Sequence, residues 1–113
     1  MRVTVLGCGG SGGVPLVGGD WGCCNPDNPK NRRRRVSALV EQGGTVILID
    51  TSPDLRAQLL DAGVTRVDAV LYTHDHADHC HGIDDLRFLR RAHDAPPIPV
   101  YGTAATLATL SRR

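Results

Sequence analysis

The hydrophobic pattern of the first half of the chain predicts strands separated by an irregular loop. Arg2–Leu6 alternates apolar and polar residues and is rich in Val and Thr, which is typical of a strand. A glycine- and proline-rich loop follows over Gly7–Asn31, with eight of the thirteen glycines. Two further strands are predicted at Arg35–Glu41 and Thr45–Asp50, joined by a tight turn at Gln42-Gly43-Gly44.

The second half predicts helices between strands. Ser52 as N-cap and Pro53 at the first helical position predict a helix that buries Leu55, Leu59 and Ala62 and ends at Gly63. The later elements are a buried strand at Val67–Thr73, a helix over Asp84–Ala92, a short strand at Ile98–Tyr101 and a helix capped by Thr103 that continues to Arg113. This alternation predicts mixed α/β layers.

Length and composition indicate one small domain without a charge-driven partner. The chain has 113 residues, a net charge of +1 and 4% aromatic residues. This balance favours neither a nucleic-acid binder nor a membrane-surface protein, and it leaves no platform for stacking bases. The N-terminus resembles neither a signal peptide nor a membrane span, and the four cysteines form no CxxC pair. We therefore expect a cytoplasmic protein with reduced thiols.

A histidine cluster directly follows the strand predicted at Val67–Thr73. Four of the five histidines lie within eight residues, in the sequence HDHADHCH. His74 and His76 are two residues apart and can face one metal ion, whereas Asp78 and His79 come as the chain turns and can face a second. The alternative is a chance cluster of solvated histidines. The position at the carboxyl end of a strand, where ligands gather in α/β layers, favours the metal interpretation.

These residues carry a family resemblance. HxHxDH after a strand resembles the metallo-β-lactamase superfamily, and Ile49-Asp50-Thr51 resembles its strand-end aspartate motif. Gly13-Val14-Pro15 resembles the opening of the ribonuclease Z and PhnP-type phosphodiesterase branches. The segment Gly19–Pro26, followed by Asn28–Arg32, is most similar to bacterial PhnP-like hydrolases.

The resemblance implies a fold and a reaction class. The fold would be the N-terminal half of an αβ/βα sandwich, a mixed sheet with helices on one face, with residues 1–113 as the N-terminal portion of the domain. The implied function is a metal-dependent hydrolase, a PhnP-like phosphodiesterase acting on a cyclic phosphate or similar phosphodiester. Its cofactors would be two divalent ions, zinc first and manganese or iron as alternatives, with a hydroxide between them. The alternatives are a ribonuclease Z-like RNA endonuclease and an inactive truncated metal-binding fragment.

The resemblance also implies roles for single residues. His74 and His76 would bind one metal, and Asp78 and His79 the other, with Asp78 also the candidate catalytic residue. Asp50 would orient a ligand histidine, or else be a turn residue that caps the following helix. His81 would support the metal site or line the substrate pocket, or else be a solvated loop histidine.

The chain departs from the family in its supply of ligands. Full-length members take further histidines and a bridging aspartate from their C-terminal half, whereas this chain has no histidine after His93 and no carboxylate side chain after Asp94. His93 itself is expected in a loop. Neither metal would therefore gain a full set of ligands from one copy. The expected substrate is a small phosphodiester, with RNA as the less favoured alternative. We also expect a second copy of the chain to cover an exposed sheet face, and we expect no membrane partner.

Three other motifs are weaker. Gly7-Cys8-Gly9-Gly10-Ser11-Gly12 matches GxGxxG, but the following Gly13 and Pro15 exclude the helix that a dinucleotide site needs. The adjacent pair Cys23-Cys24 lacks a third cysteine nearby, so we expect loop cysteines and no structural zinc site. The run Arg32-Arg33-Arg34-Arg35 is either a solvated loop leading into an edge strand or a device that attracts phosphate, with Arg32 and Arg33 as candidate substrate-binding residues.

Overall fold

The computed structural model describes residues 1–89 and 96–112. The strands and α-helices of these residues are β1 (Arg2–Gly7), β2 (Ser37–Gln42), β3 (Thr45–Ile49), α1 (Leu55–Asp61), β4 (Ala69–Leu71), α2 (Ala77–Cys80), β5 (Val100–Tyr101) and α3 (Ala104–Ser111). Two 3-10 helices lie at Pro29–Asn31 and His81–Leu89. Within the described ranges, no helix is long and apolar enough to cross a membrane. The predicted loop position of His93 falls outside these ranges.

The strands form one mixed sheet in the order β1-β2-β3-β4-β5. The first three strands are antiparallel neighbours, and β3, β4 and β5 are parallel to one another. Gly7 pairs with Ser37, and Ile49 pairs with Leu71. The ends of β1, β3 and β4 and the start of β2 therefore meet at the same edge of the sheet, and the loops that carry the candidate chemistry meet there too.

One face of this sheet carries the hydrophobic core. Leu39, Leu48 and Val70 occupy neighbouring positions on three strands and are at most 2% exposed. Leu55 and Leu59 of α1 pack against them in the same cluster. The expected mixed sheet with helices on one face is confirmed.

The opposite face is also apolar, but it is open. The register places Val3 beside Val40 and Ile47, and Val5 in a row with Ala38, Ile49, Leu71 and Tyr101. Val3, Val5, Leu71 and Tyr101 are 58%, 66%, 38% and 56% exposed. A sheet that faces water on one side normally alternates apolar with polar residues. Here the side chains on both faces of the strands are mostly Val, Ile and Leu.

The predicted start of α1 is wrong by two residues. Ser52 does not cap the helix directly, because α1 begins at Leu55 and Asp54 is its N-cap. The Ser52 hydroxyl instead accepts from the Asp54 backbone N–H at 3.1 Å and donates to Gln58 at 2.7 Å. Ser52-Pro53-Asp54 therefore forms a turn that precedes the helix. The Asp54 carboxylate cannot cap the helix because it binds Arg35 at 2.7 Å.

Two other elements also differ from the prediction. The strand expected from Arg35 begins at Ser37, and it is an interior strand, because β1 covers the side that was predicted to be an edge. The segment expected as a helix from Asp84 is a 3-10 helix over His81–Leu89. Gly82 approaches Ser52 so closely that a Cβ would lie 2.0 Å from its carbonyl oxygen, which ties this segment to the start of α1.

The glycine-rich loop is shaped by its contact with the arginine run, and no α-helix begins directly after Gly12. A Cβ on Gly7 would lie 2.1 Å from the Arg35 carbonyl oxygen, and one on Gly9 would lie 2.8 Å from that of Arg34. The Gly9 N–H donates to the Arg34 carbonyl at 2.8 Å. These glycines therefore allow two backbone segments to approach each other, which accounts for the GxGxxG pattern without a dinucleotide.

Candidate metal centre

The histidine cluster lies at the sheet edge where β4 ends. After Leu71 the chain buries Tyr72, and His76 then forms the N-cap of the one-turn helix α2. The ring centroids of His74 and His76 are 4.6 Å apart, and those of His74 and His79 are 4.1 Å apart. His74 thus contacts two other predicted ligand side chains, His76 and His79.

Asp50 connects this cluster to the end of β3. Its side chain is buried, and its Oδ2 lies 2.7 Å from His79 Nδ1. The Thr73 backbone N–H donates to Oδ1 at 2.8 Å, and the Thr73 hydroxyl donates to Oδ2 at 2.7 Å. The alternative role as a cap of the following helix does not match these contacts, because both oxygens face β4 and α2.

The backbone of Asp50 adopts a conformation that few non-glycine residues tolerate. Its φ is 60°, in the left-handed region. Its N–H donates to the Leu71 carbonyl at 2.9 Å, and its carbonyl accepts from the Ser37 hydroxyl at 2.9 Å. Hydrogen bonds to β2, β4 and α2 together offset the cost of this conformation.

The contact with Asp50 also determines the protonation of the His79 ring. A carboxylate only accepts, so Nδ1 of His79 donates and Nε2 carries the lone pair when the ring is neutral. Nε2 lies 3.3 Å from Oδ2 of Asp78. Two acceptors facing each other at this distance repel unless a proton or a metal ion lies between them. Two ligands about 2.1 Å from one tetrahedral ion would lie about 3.4 Å apart, so the pair fits a shared metal.

The described residues provide donors in pairs rather than as a complete site. Within residues 1–89 and 96–112, no group of three or more His, Cys, Asp or Glu side chains is arranged to hold a metal ion. Structural and catalytic zinc sites take three or four protein ligands each. Imidazole and carboxylate donors suit a divalent transition metal. The described residues therefore provide some of the ligands that each metal ion needs, but not a full set.

The sequence analysis missed the residues that hold this edge together. The Tyr72 and Thr51 hydroxyls are 2.7 Å apart, and the Thr51 hydroxyl donates to the Cys80 carbonyl at 3.1 Å. The Thr51 N–H donates to the His79 carbonyl at 2.9 Å. Burial raises the pKa of Tyr72 to about 12, so its hydroxyl stays protonated and serves as a donor. The position of Thr51 directly after the strand-end aspartate was the signal that could have found it.

A separate cavity lies between the glycine-rich loop and the arginine run. It has a volume of about 820 Å³, and its lining includes all four arginines of the run and Cys8. Arg34 pairs with Asp61 at 2.7 Å, and Arg35 pairs with Asp54 at 2.7 Å.

The two other arginines have different contacts. The Arg32 guanidinium lies 5.3 Å from the centroid of the Trp21 ring. Arg33 donates to the Cys8 sulfur at 3.6 Å. Among the described residues neither arginine pairs with a carboxylate, so the cavity carries two uncompensated positive charges.

The remaining candidates lie at the margins of these two sites. His81 is exposed at the start of its 3-10 helix, beyond α2. Cys8, Cys23 and Cys24 form no disulfide, and among the described residues no cysteine belongs to a group of three or more side chains that could hold a metal.

Comparison with known proteins identifies the family. A model described as the β-lactamase superfamily domain matches residues 45–113, which include Asp50 and the whole histidine cluster. The chain belongs to the β-lactamase superfamily. Its members among the similar proteins include hydrolases, and its fold is that of the metallo-β-lactamases.

Two solved structures of the superfamily resemble the chain closely. A diphosphatase from the PhnP family is 43% identical with a TM-score of 0.89, over 97% of this chain and 44% of the diphosphatase. Zinc-bound PqqB from Methylobacterium extorquens is 26% identical with a TM-score of 0.76, over 100% of this chain and 40% of PqqB. The resemblance to a zinc-bound protein supports use of a divalent metal by this superfamily fold.

The chain covers a smaller share of two curated relatives. A ribonuclease Z from a Bradyrhizobium strain is 37% identical over 74% of this chain and 29% of the enzyme. An octanoyltransferase from Porphyromonas gingivalis is 49% identical over 77% of this chain, but only 18% of that protein is covered. The chain thus spans less than half the length of each of these four proteins.

Proposed function

We propose that this chain contributes to a metal-dependent phosphodiesterase of the PhnP-like type, which hydrolyses a small anionic phosphodiester. The observation that carries the proposal is the 43% identity and TM-score of 0.89 to a PhnP-family diphosphatase. The paired imidazole and carboxylate donors at the end of β4 add the chemistry that such a hydrolase needs.

In this proposal His74 and His76 would hold one divalent ion, and Asp78 and His79 would hold the other. Bound in this way, a pair of divalent ions would supply activation of water and neutralisation of the charge that develops on a phosphoryl group. Asp50 keeps the His79 proton on Nδ1, which leaves Nε2 free as a donor atom. Zinc is the proposed metal.

The arginine cavity would provide the attraction for an anionic substrate. Arg34 and Arg35 are neutralised by their aspartates, so Arg32 and Arg33 are the proposed phosphate-binding residues. Arginine suits this role because its guanidinium can donate two parallel hydrogen bonds to a phosphate. The run enters the sheet at β2 and the histidines follow β4. Two strand spacings of about 4.8 Å, roughly 10 Å, separate the start of β2 from the end of β4, so the two segments lie at the same end of the sheet.

A ribonuclease Z-like RNA endonuclease is the second candidate. The observation in its favour is the 37% identity to a ribonuclease Z over 74% of this chain. The same two arginines would then contact an RNA backbone. The net charge of +1 and the scarcity of aromatic residues give RNA no further support.

A chimera tests both candidates. We would replace the matching segment of the PhnP-family diphosphatase with this chain and assay bis-p-nitrophenyl phosphate and a precursor tRNA. We expect zinc-dependent hydrolysis of the small phosphodiester, abolished by Asp78→Ala and weakened by the Arg32→Gln/Arg33→Gln double variant. Arg56→Gln, an exposed arginine on α1, is the matched control. Cleavage of the tRNA with no turnover of the small ester would favour the ribonuclease Z-like candidate over the phosphodiesterase. A folded chimera that is inactive on both would refute the proposal.

A further inference from the structure

We propose that Thr73 is a positioning residue that extends the influence of Asp50 to the second histidine pair, by fixing the tautomer of His74. This inference rests on the proposed role of His74 as a metal ligand. Its physical basis is the three-residue hydrogen-bond relay Asp50–Thr73–His74 at the end of β4.

The direction of the relay follows from counting hydrogens. The Thr73 hydroxyl lies 2.7 Å from Oδ2 of Asp50 and 2.9 Å from Nδ1 of His74. The hydroxyl has one hydrogen, and the carboxylate can only accept, so that hydrogen goes to Asp50. The shorter distance agrees, because hydrogen bonds to a charged acceptor are the shorter ones. Oγ1 must then accept from His74, which requires the proton on Nδ1.

One buried carboxylate therefore sets two rings. Asp50 acts on His79 by direct contact at 2.7 Å, and it acts on His74 through the threonine. In both rings the lone pair is left on Nε2. Because the two histidines belong to different proposed metal positions, the relay gives both positions a donor of the same tautomer before any metal binds.

A serine or threonine is needed at position 73 for this purpose, and the backbone at that position has a separate task. The Thr73 N–H donates to Oδ1 of Asp50 at 2.8 Å whatever side chain is present. Valine would keep this bond and the branched shape of threonine, but it would remove the hydroxyl. Thr73→Val therefore removes the hydroxyl of the relay but keeps the backbone hydrogen bond that attaches the end of β4 to Asp50.

The test is ¹⁵N NMR of the imidazole rings in the metal-free chain at about pH 8.5, where imidazoles are neutral. Magic-angle spinning makes the measurement independent of the association state. In the parent we expect His74 and His79 both protonated on Nδ1. Thr73→Val should move His74 to a mixture with Nε2–H and leave His79 unchanged, and Thr73→Ser should restore the parent signal. Thr45→Val, at an exposed position of β3, is the matched control.

A second measurement follows metal affinity. Loss of a group that orients a metal-binding histidine weakens affinity roughly 10- to 100-fold, so we expect Thr73→Val to weaken zinc binding by about tenfold and Thr73→Ser to recover most of it. An Nε2–H tautomer for His74 in the parent would overturn the relay, even if Thr73→Val failed to fold. If both rings carry the proton on Nδ1 but the chain does not bind zinc, the relay would be supported and the metal proposal refuted.

Discussion

Single residues at the end of β4 can be understood as one network centred on Asp50. Its buried carboxylate accepts from Thr73 and His79, and its backbone bonds to Ser37 and Leu71. These hydrogen bonds offset the cost of placing an aspartate in the left-handed region. A glycine at this position would relieve the strain but would provide no carboxylate.

Metal binding is the prediction that belongs to the residue scale. The metal-free chain should bind zinc through His74, His76, Asp78 and His79, because these donors are neutral imidazoles and a carboxylate gathered at one sheet edge. The quadruple alanine variant should reduce the affinity measured by calorimetry by at least about a hundredfold. A variant carrying Asp84→Ala and Asp85→Ala, at an exposed and a half-buried position of the next segment, is the control. Equal binding by the quadruple variant and the parent would show that the ligands are elsewhere.

At the scale of elements, the arginine run is held to the start of α1. Asp54 accepts from the Arg35 backbone N–H at 2.9 Å and from its guanidinium at 2.7 and 3.1 Å. Partial burial alone would raise the pKa of Asp54. The side-chain and backbone hydrogen bonds from Arg35, with the charges of Arg35 and Arg34, outweigh burial and lower that pKa below its ordinary value of 3.8.

The sign of this shift predicts a loss of stability in acid. A carboxyl whose pKa is lower in the folded state stabilises the fold fully above its unfolded pKa, and this contribution is lost as the pH falls through the folded pKa. We expect Asp54→Asn to reduce the free energy of unfolding by about 1–3 kcal/mol at pH 7. The difference from the parent should shrink at about pH 2–3.

Denaturant unfolding at both pH values measures this difference. Asp61→Asn is the matched control, since Asp61 lies on the same helix and its side chain is 67% exposed. A difference between Asp54→Asn and the parent that stays constant with pH would contradict the assignment.

At the scale of the molecule, the sheet has one covered face and one open face. The open face includes one row from Val3 to Ala69 and a second row from Val5 through Leu71 to Tyr101. Soluble monomers seldom expose contiguous apolar patches beyond a few hundred square ångströms. A face of this composition therefore favours association.

We accordingly predict that the 113-residue chain self-associates or aggregates and hydrolyses bis-p-nitrophenyl phosphate negligibly. Association follows from the open face, and weak turnover follows because the described donors form no group of three around one metal. Light scattering at increasing concentration and a turnover assay with zinc measure the two effects. Val5→Lys, at an exposed position of β1 on the open face, should reduce association, whereas Leu60→Lys, an exposed leucine on α1, should not. A monodisperse monomer with zinc-dependent turnover that Asp78→Ala abolishes would refute this prediction.

The sequence by itself determined the family, the mixed sheet and the candidate ligands. HxHxDH is a local pattern, and the strands around it have alternation or apolar runs that depend only on neighbouring residues. The role of these ligands in metal binding stays a prediction.

Tertiary structure decided what depends on distant partners. Ser52 had every local feature of an N-cap, yet its hydroxyl binds Gln58 and the helix starts later. The local sequence does not distinguish the four arginines, but Asp61 and Asp54 neutralise Arg34 and Arg35 and, among the described residues, leave Arg32 and Arg33 without a carboxylate partner. Thr73 acquired a role only because Asp50, 23 residues away, lies within hydrogen-bond distance. Hydrogen bonds and ion pairs depend on positions in space, which the register of the sheet determines and the local pattern does not contain.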